Sequence, residues 1–320
     1  MIRNNSKAGT LKVLQQIKSL FFIFLICIST SGLAKTKKKH RTPPRPPVIH
    51  LEELHIKELH LEDYTGKFSS MDEEYILADL VKNIPDIVKC YVDIGAGDGI
   101  SGSNTAKLAL NHWQRLALEG DSNKVSKASQ IYQRMNNIKI VESKITPLNV
   151  CGLLKTYDIP KDFGVLSLDI DSYNYFVLES LLNNFRPSLI IVEINEKIPP
   201  PLEFTVLYHP DHSWDNNHFY GQSISQLEKL CSAQNYAIVT LEYNNAFLVA
   251  KEKYQGIPLT AREAYEQGYQ YRKDRAVKFP WNQDMEILLI SKPDDNAKFL
   301  NERFAAYRGK YILRNPALVD

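Results

Sequence analysis

The stretch Tyr91-Val92-Asp93-Ile94-Gly95-Ala96-Gly97-Asp98-Gly99 holds the residues with the clearest chemistry in this chain. Two β-formers lead into an acid, and a glycine then falls at every second position. This pattern predicts a buried strand ending in a turn where the backbone passes close to a ligand. Glycine serves both needs, because it tolerates positive φ and has no side chain to hold a ligand away. Ile100 to Leu110 is expected to continue as a helix whose first N–H groups face the same ligand. The glycines read G-x-G-x-G, whereas a pyrophosphate is seated by G-x-G-x-x-G. Carboxylates at Asp93 and Asp98 repel a pyrophosphate and suit a cationic or polar ligand. Another acid, Glu119, closes the next apolar run, Leu116-Ala117-Leu118.

Two later apolar runs also end in acids, as Leu168-Asp169-Ile170-Asp171 and Val192-Glu193-Ile194-Asn195. Period-two alternation puts Asp169 with Asp171, and Glu193 with Asn195, on one face each. Carboxylates in such a place act as a base or as hard-cation ligands; no metal is expected here. The stretch His209 to Ser223 carries His209, His212, His218 and Tyr220. Histidines there can move protons near neutral pH. No H-x-x-x-H or H-E-x-x-H spacing argues for zinc.

The elements that must position these residues alternate. Strands are expected at 115–119, 138–141, 163–169 and 188–194, with helices at 75–84, 123–135, 175–183 and 225–231, and a helix or loop at 147–157. Continuous apolar strands separated by helices argue a mostly parallel sheet covered on both faces. Tyr236 to Leu241 and Ala246 to Ala250 are expected to form a closing antiparallel hairpin. Residues 253–320 carry helical patterns at 259–271 and 294–307 and are read as a C-terminal helical extension.

The chain has 320 residues, 44% hydrophobic and 24% charged, enough for a large α/β domain with additions. Its net charge of +2 gives no indication of nucleic acid, and no such partner is expected. Four cysteines without a C-x-x-C pair offer neither a zinc ribbon nor a dithiol redox motif. Residues 1–34 combine a basic start, the apolar run Leu20 to Ile28 and small residues at Gly32 and Ala34, as a signal peptide or membrane anchor does. The basic run Lys35 to Arg41 opposes translocation. The chain is therefore expected to be membrane-associated or exported, with a cytoplasmic location as the alternative. Residues 35–50 read as a basic, Pro-rich linker, and 51–252 as the main domain.

Together, Asp93 to Gly99, Glu119, Leu168 to Tyr175, Val192 to Asn195, Phe219 to Ser223 and Asn244 to Phe247 resemble class I S-adenosylmethionine (SAM)-dependent methyltransferases related to the FkbM type. The resemblance spans roughly Tyr64 to Glu252. It implies the Rossmann-like class I methyltransferase fold, with SAM as cofactor. Under it Asp93, Gly95, Gly97, Gly99 and Asp169 hold the cofactor, and Glu119 takes its ribose hydroxyls. Asp171 is then the first candidate base, with His209 or His218 second, and Glu193, Asn195 and Tyr220 contact the substrate. The implied reaction is O-methylation of a saccharide or small molecule. A Rossmann-like binding module without catalysis, and a cation-dependent glycosyltransferase using Asp169 and Asp171, are the alternatives. The glycine spacing disfavours a nicotinamide oxidoreductase.

Overall fold

The computed structural model describes residues 66–316. The expected signal or anchor segment, the Pro-rich linker and the Leu51–Leu61 stretch lie outside the described residues. After helix α1 (Glu73–Asn83) the chain alternates: β1 (Cys90–Ile94), α2 (Ala106–Leu110), β2 (Gln114–Glu119), α3 (Ser122–Ile131), β3 (Ile138–Glu142), α4 (Val150–Thr156), β4 (Val165–Leu168), α5 (Asn174–Leu182) and β5 (Leu189–Glu193). A short strand β6 (Glu203–Val206) follows, then α6 (Ile224–Ala233) and the hairpin β7 (Tyr236–Glu242) and β8 (Asn245–Ala250).

The main sheet has the order β3-β2-β1-β4-β5-β8-β7. Strands β1 to β5 pair in parallel, and β8 runs antiparallel to both β5 and β7. The expected fold class is the one found: a Rossmann-like, mostly parallel sheet closed by an antiparallel hairpin. Every residue of β1, β4 and β5 is buried, as strands covered on both faces require. One face carries Val92, Ile94, Leu116, Leu166 and Ile190 against α4, α5 and α6. The other carries Tyr91, Val165, Leu189 and Phe247 against α1 and α2. Strand order reverses between β1 and β4, and the crevice beyond their carboxyl ends is where open α/β sheets bind ligands.

Two expectations change. The helix after the glycine loop starts at Ala106 instead of Ile100. Asp98 Oδ1 accepts from Ile100 N (3.0 Å) and Ser101 N (2.8 Å) as a cap would, but Gly102 turns left-handed at φ +68° and ends the turn before a helix can run on. The C-terminal extension is also not purely helical. It runs through α7 (Ala261–Tyr265), α8 (Arg275–Lys278), a 3-10 stretch (Pro280–Leu289) and α9 (Pro293–Arg303) into β9 (Tyr311–Arg314). Strand β9 pairs antiparallel with β6 in a second, two-stranded sheet. Phe204, Val206, Phe219, Met285, Leu300 and Phe304 form a separate small core around that sheet.

One contact fixes the crevice. Gly95 has φ +81°, and a Cβ built on it falls 1.7 Å from the Asp169 carbonyl oxygen. No L side chain fits there, so β1 and β4 end with their backbones in direct apposition. Gly95→Ala is expected to cost on the order of 3 kcal/mol or more, read by urea unfolding. A loss below about 0.5 kcal/mol, the range of ordinary surface substitutions, would contradict this packing.

Candidate functional site

A cavity of about 1160 Å3 lies beyond the carboxyl ends of β1, β2 and β4. Asp93, Gly95, Gly97, Glu119, Asp169 and Asp171 all line it, so six of the residues singled out in sequence converge on one space. Asp93 sits deepest. Its neighbours across the sheet are Ala117 on β2 and Ser167 on β4, two small residues that leave it room. Its Oδ2 accepts from the Thr105 hydroxyl (2.7 Å) and from Arg115 Nη2 (2.9 Å). Arg115 is fully buried, with its guanidinium 5.6 Å from the Tyr91 ring centroid and 4.8 Å from that of Tyr132. Burial works against its charge, and Tyr91, Tyr132 and Asp93 hold it in place. Sequence reasoning overlooked Arg115, since one cation in a strand pattern reads as an edge residue.

The glycines divide by role. Gly97 has φ +58°, and a Cβ built on it meets nothing within 4 Å, so its bareness leaves open space in the cavity. Gly99, expected on the cofactor, packs against Tyr132. It does not line the cavity; a Cβ there falls 2.6 Å from the Tyr132 ring, and its carbonyl accepts from the Tyr132 hydroxyl (2.6 Å). Glu119 is held from both sides: Oε2 accepts from Gly97 N (2.8 Å) and Oε1 from Asp121 N (2.9 Å). Each oxygen keeps a second lone pair, so the fixed carboxylate can accept from two further hydroxyls.

Asp169, Asp171 and Glu193 bring carboxylate oxygens within 4.8 Å of one another, a set that could hold a hard cation. Asp171 adopts φ +52°, a left-handed conformation that turns the chain beneath the cavity. Glu193, Asn195 and Tyr220, expected on the substrate, do not line the cavity. Glu193 accepts from Asn244 Nδ2 (3.2 Å). Asn195 Nδ2 donates to the carbonyls of His218 and Tyr220, both at 2.9 Å. The Tyr220 hydroxyl donates to Glu196 Oε2 (2.8 Å) and accepts from Lys197 Nζ (2.7 Å). These side chains are consumed by internal bonds behind the cavity wall, while His212 and Trp214 of the same stretch reach the cavity.

The histidines change places as well. His209 is exposed and off the cavity, with its Nδ1 accepting from Asp211 N (3.2 Å). His218 is buried behind the wall, with Nε2 2.9 Å from Asp284 Oδ1. Burial pushes its pKa down to about 4, with Lys197 acting in the same direction and Asp284 against it. His212 is the histidine that lines the cavity, and burial lowers its pKa too. The remaining walls come from both ends of the described chain: Phe68 and Glu73 before β1, and Phe279 and Trp281 after the hairpin. Glu73 is buried, and desolvation raises its pKa. No motif marked these residues, since they reach the site only through tertiary packing.

No family model and no curated protein matches the chain. Among solved structures it is similar to a putative O-methyltransferase from Klebsiella pneumoniae, 17% identical, covering 74% of this chain and 98% of that one at TM-score 0.37. It is also similar to an O-methyltransferase from Bacillus cereus in complex with SAH, 16% identical, covering 59% and 84% at TM-score 0.38. A SAM-dependent methyltransferase from Aquifex aeolicus is 10% identical, covering 56% and 90% at TM-score 0.35. The strand order itself, with its antiparallel β8, defines the class I methyltransferase-like fold.

The buried His218 gives a pH signature. Its ordinary value of 6.5 falls to about 4 in the fold, so between those values the unfolded chain binds a proton that the native chain refuses. Stability is therefore expected to be whole above pH 6.5 and to fall toward pH 4, by on the order of 2 kcal/mol. Urea unfolding at stepped pH should show this slope reduced in His218→Gln. An unchanged slope would assign the acid sensitivity elsewhere.

Proposed function

We propose that this chain, as a relative of the FkbM-type enzymes, transfers a methyl group from SAM to an oxygen of a small molecule or saccharide. The observation that carries the reading is the pairing of Gly97 with Glu119: a bare glycine facing open cavity, and a carboxylate clamped beside it by two backbone amides. A sulfonium nucleoside has a cationic centre and a pair of ribose hydroxyls, and this cavity offers acids for the first and Glu119 for the second. The extra acids at Asp93, Asp169 and Asp171 disfavour a pyrophosphate in the same place.

When bound, SAM supplies an electrophilic methyl group. The protein aligns the acceptor oxygen with it, excludes water and takes the acceptor's proton. Gly97 leaves the approach open, Glu119 fixes the nucleoside, and Asp93, itself fixed and neutralised by Arg115, offers the floor a hydrogen-bond acceptor in a set position. Asp171 remains the first candidate to receive the proton. His212, unlike His209 and His218, lies where it could act second. Phe68, Trp214, Phe279 and Trp281 give the acceptor apolar faces to lie against. The apolar run at the N-terminus supports membrane association of the enzyme.

One observation favours a second reading. The Asp169, Asp171 and Glu193 carboxylates fit a cation-dependent glycosyltransferase as well. Its signature would be nucleotide-sugar binding that needs a divalent ion and is abolished by chelator.

Calorimetry separates the two. The full-length chain is expected to bind S-adenosylhomocysteine without added metal, and NAD not at all. Glu119→Ala should weaken that binding about tenfold or more, the loss of hydrogen bonds to a charged group. Gly97→Ala should also weaken binding while costing only about 1 kcal/mol of stability. No heat at millimolar nucleoside would overturn the reading.

A further inference from the structure

Four of the seven large apolar side chains left exposed among the described residues are Tyr271, Val277, Ile287 and Ile290. They fall in one short unit that follows α7. Arg275 Nη1 donates to the Gln270 carbonyl (2.7 Å), Gln270 Nε2 donates to the Leu289 carbonyl (3.5 Å), and Arg275 pairs with Glu286 at 2.5 Å. The unit is thus stitched into one body. Val277 and Lys278 also line the cavity, so the unit forms part of its rim. Soluble surfaces usually scatter exposed apolar side chains singly, and four in one stitched segment, one of them on the cavity rim, mark an interaction surface.

Charge indicates what covers it. The acids of this region are each held by an arginine: Asp274 by Arg272, Glu286 by Arg275 and Asp284 by Arg303. Lys273, Lys278 and Lys292 form no ion pair among the described residues. Lys278 faces the field of Asp72 and Asp274, but Lys273 and Lys292 remain, and apolar side chains accompanied by such lysines match an anionic lipid surface, where the apolar tips enter the head-group layer and the amines meet phosphates. The sequence carries an independent sign of the same setting, the apolar run Leu20 to Ile28 followed by the basic run Lys35 to Arg41.

We propose that the unit from Tyr271 to Lys292 seats the cavity rim on an anionic phospholipid bilayer, so that the acceptor is an amphiphile entering from the lipid. The identity of the acceptor rests on the methyl-transfer reading; the seating does not. Val277 joins the two surfaces, being at once exposed and part of the cavity lining.

Hydrogen exchange on the full-length chain tests it, followed in segment 271–292 with vesicles of phosphatidylcholine alone or mixed with phosphatidylglycerol. The mixed vesicles are expected to slow exchange in this segment severalfold, and the neutral ones to leave it unchanged. Combining Ile287→Glu with Ile290→Glu should abolish the slowing. Both changes fall on exposed positions outside the cavity, and both proteins keep the N-terminal run, so a difference between them reports the patch. Exchange indifferent to lipid, equal slowing by both vesicle types, or slowing that grows with protein concentration without lipid and so reports a second copy, would each overturn the proposal. Affinity for S-adenosylhomocysteine, expected to be the same in the variant, checks the methyl-transfer reading separately.

Discussion

The ion pair between Asp93 and Arg115 governs the geometry of this site. Two opposite charges lie within the sheet, between adjacent parallel strands, where neither could be left alone. A buried pair of this kind adds little net stability, yet removing one partner costs about 3–5 kcal/mol because the other is stranded. Its value is therefore positional. Arg115 is braced by the rings of Tyr91 and Tyr132, and Tyr132 reaches back to the Gly99 carbonyl, closing the far end of the glycine loop. Loop, strand and helix α3 are tied to one guanidinium. The loop can then present Gly97 to the cavity without support from a long helix behind it.

A second polar cluster does similar work at the opposite wall. Glu196 and Lys197 are both buried and bonded to each other, and Asn282 donates to Glu196 Oε1 (2.7 Å) from the C-terminal segment. The Tyr265 hydroxyl donates to the Glu196 carbonyl (2.7 Å). Asn282 directly follows Trp281, so this network sets the position of an aromatic side chain that lines the cavity. The extension is therefore a structural part of the site.

Much of the frame was legible in the sequence. Strands such as Leu189-Ile190-Ile191-Val192 declare themselves because burial on both faces demands unbroken apolar runs, and alternation with helices makes their pairing parallel. The site acids at the carboxyl ends of β1, β2 and β4 were legible for the same reason, since a charge ending such a run has only the crevice to face. Other features were hidden because their cause is not local. Asp98 spends its carboxylate on two loop amides, which no helical pattern reveals. His218 and Tyr220 are as polar in sequence as any catalytic group, and only packing shows that their polarity is consumed internally. Phe68 and Trp281 reach the cavity from distant parts of the chain, by contacts that periodicity cannot encode.

The pairing of β6 with β9 has a consequence for how the molecule is made. A ribosome delivers β6 well before its partner β9, with α6, the hairpin and the whole C-terminal extension between them. Until then Phe204 and Val206 have no neighbours at Leu313 and Tyr311, and the small core around them stays open to solvent. The parallel sheet can form early from elements close in sequence, whereas this closure is a long-range event that must come late. Newborn chains thus pass through a stage in which the parallel sheet can be formed while the small core and the cavity walls at Phe279 and Trp281 are not, and that interval is when they most need shielding from one another.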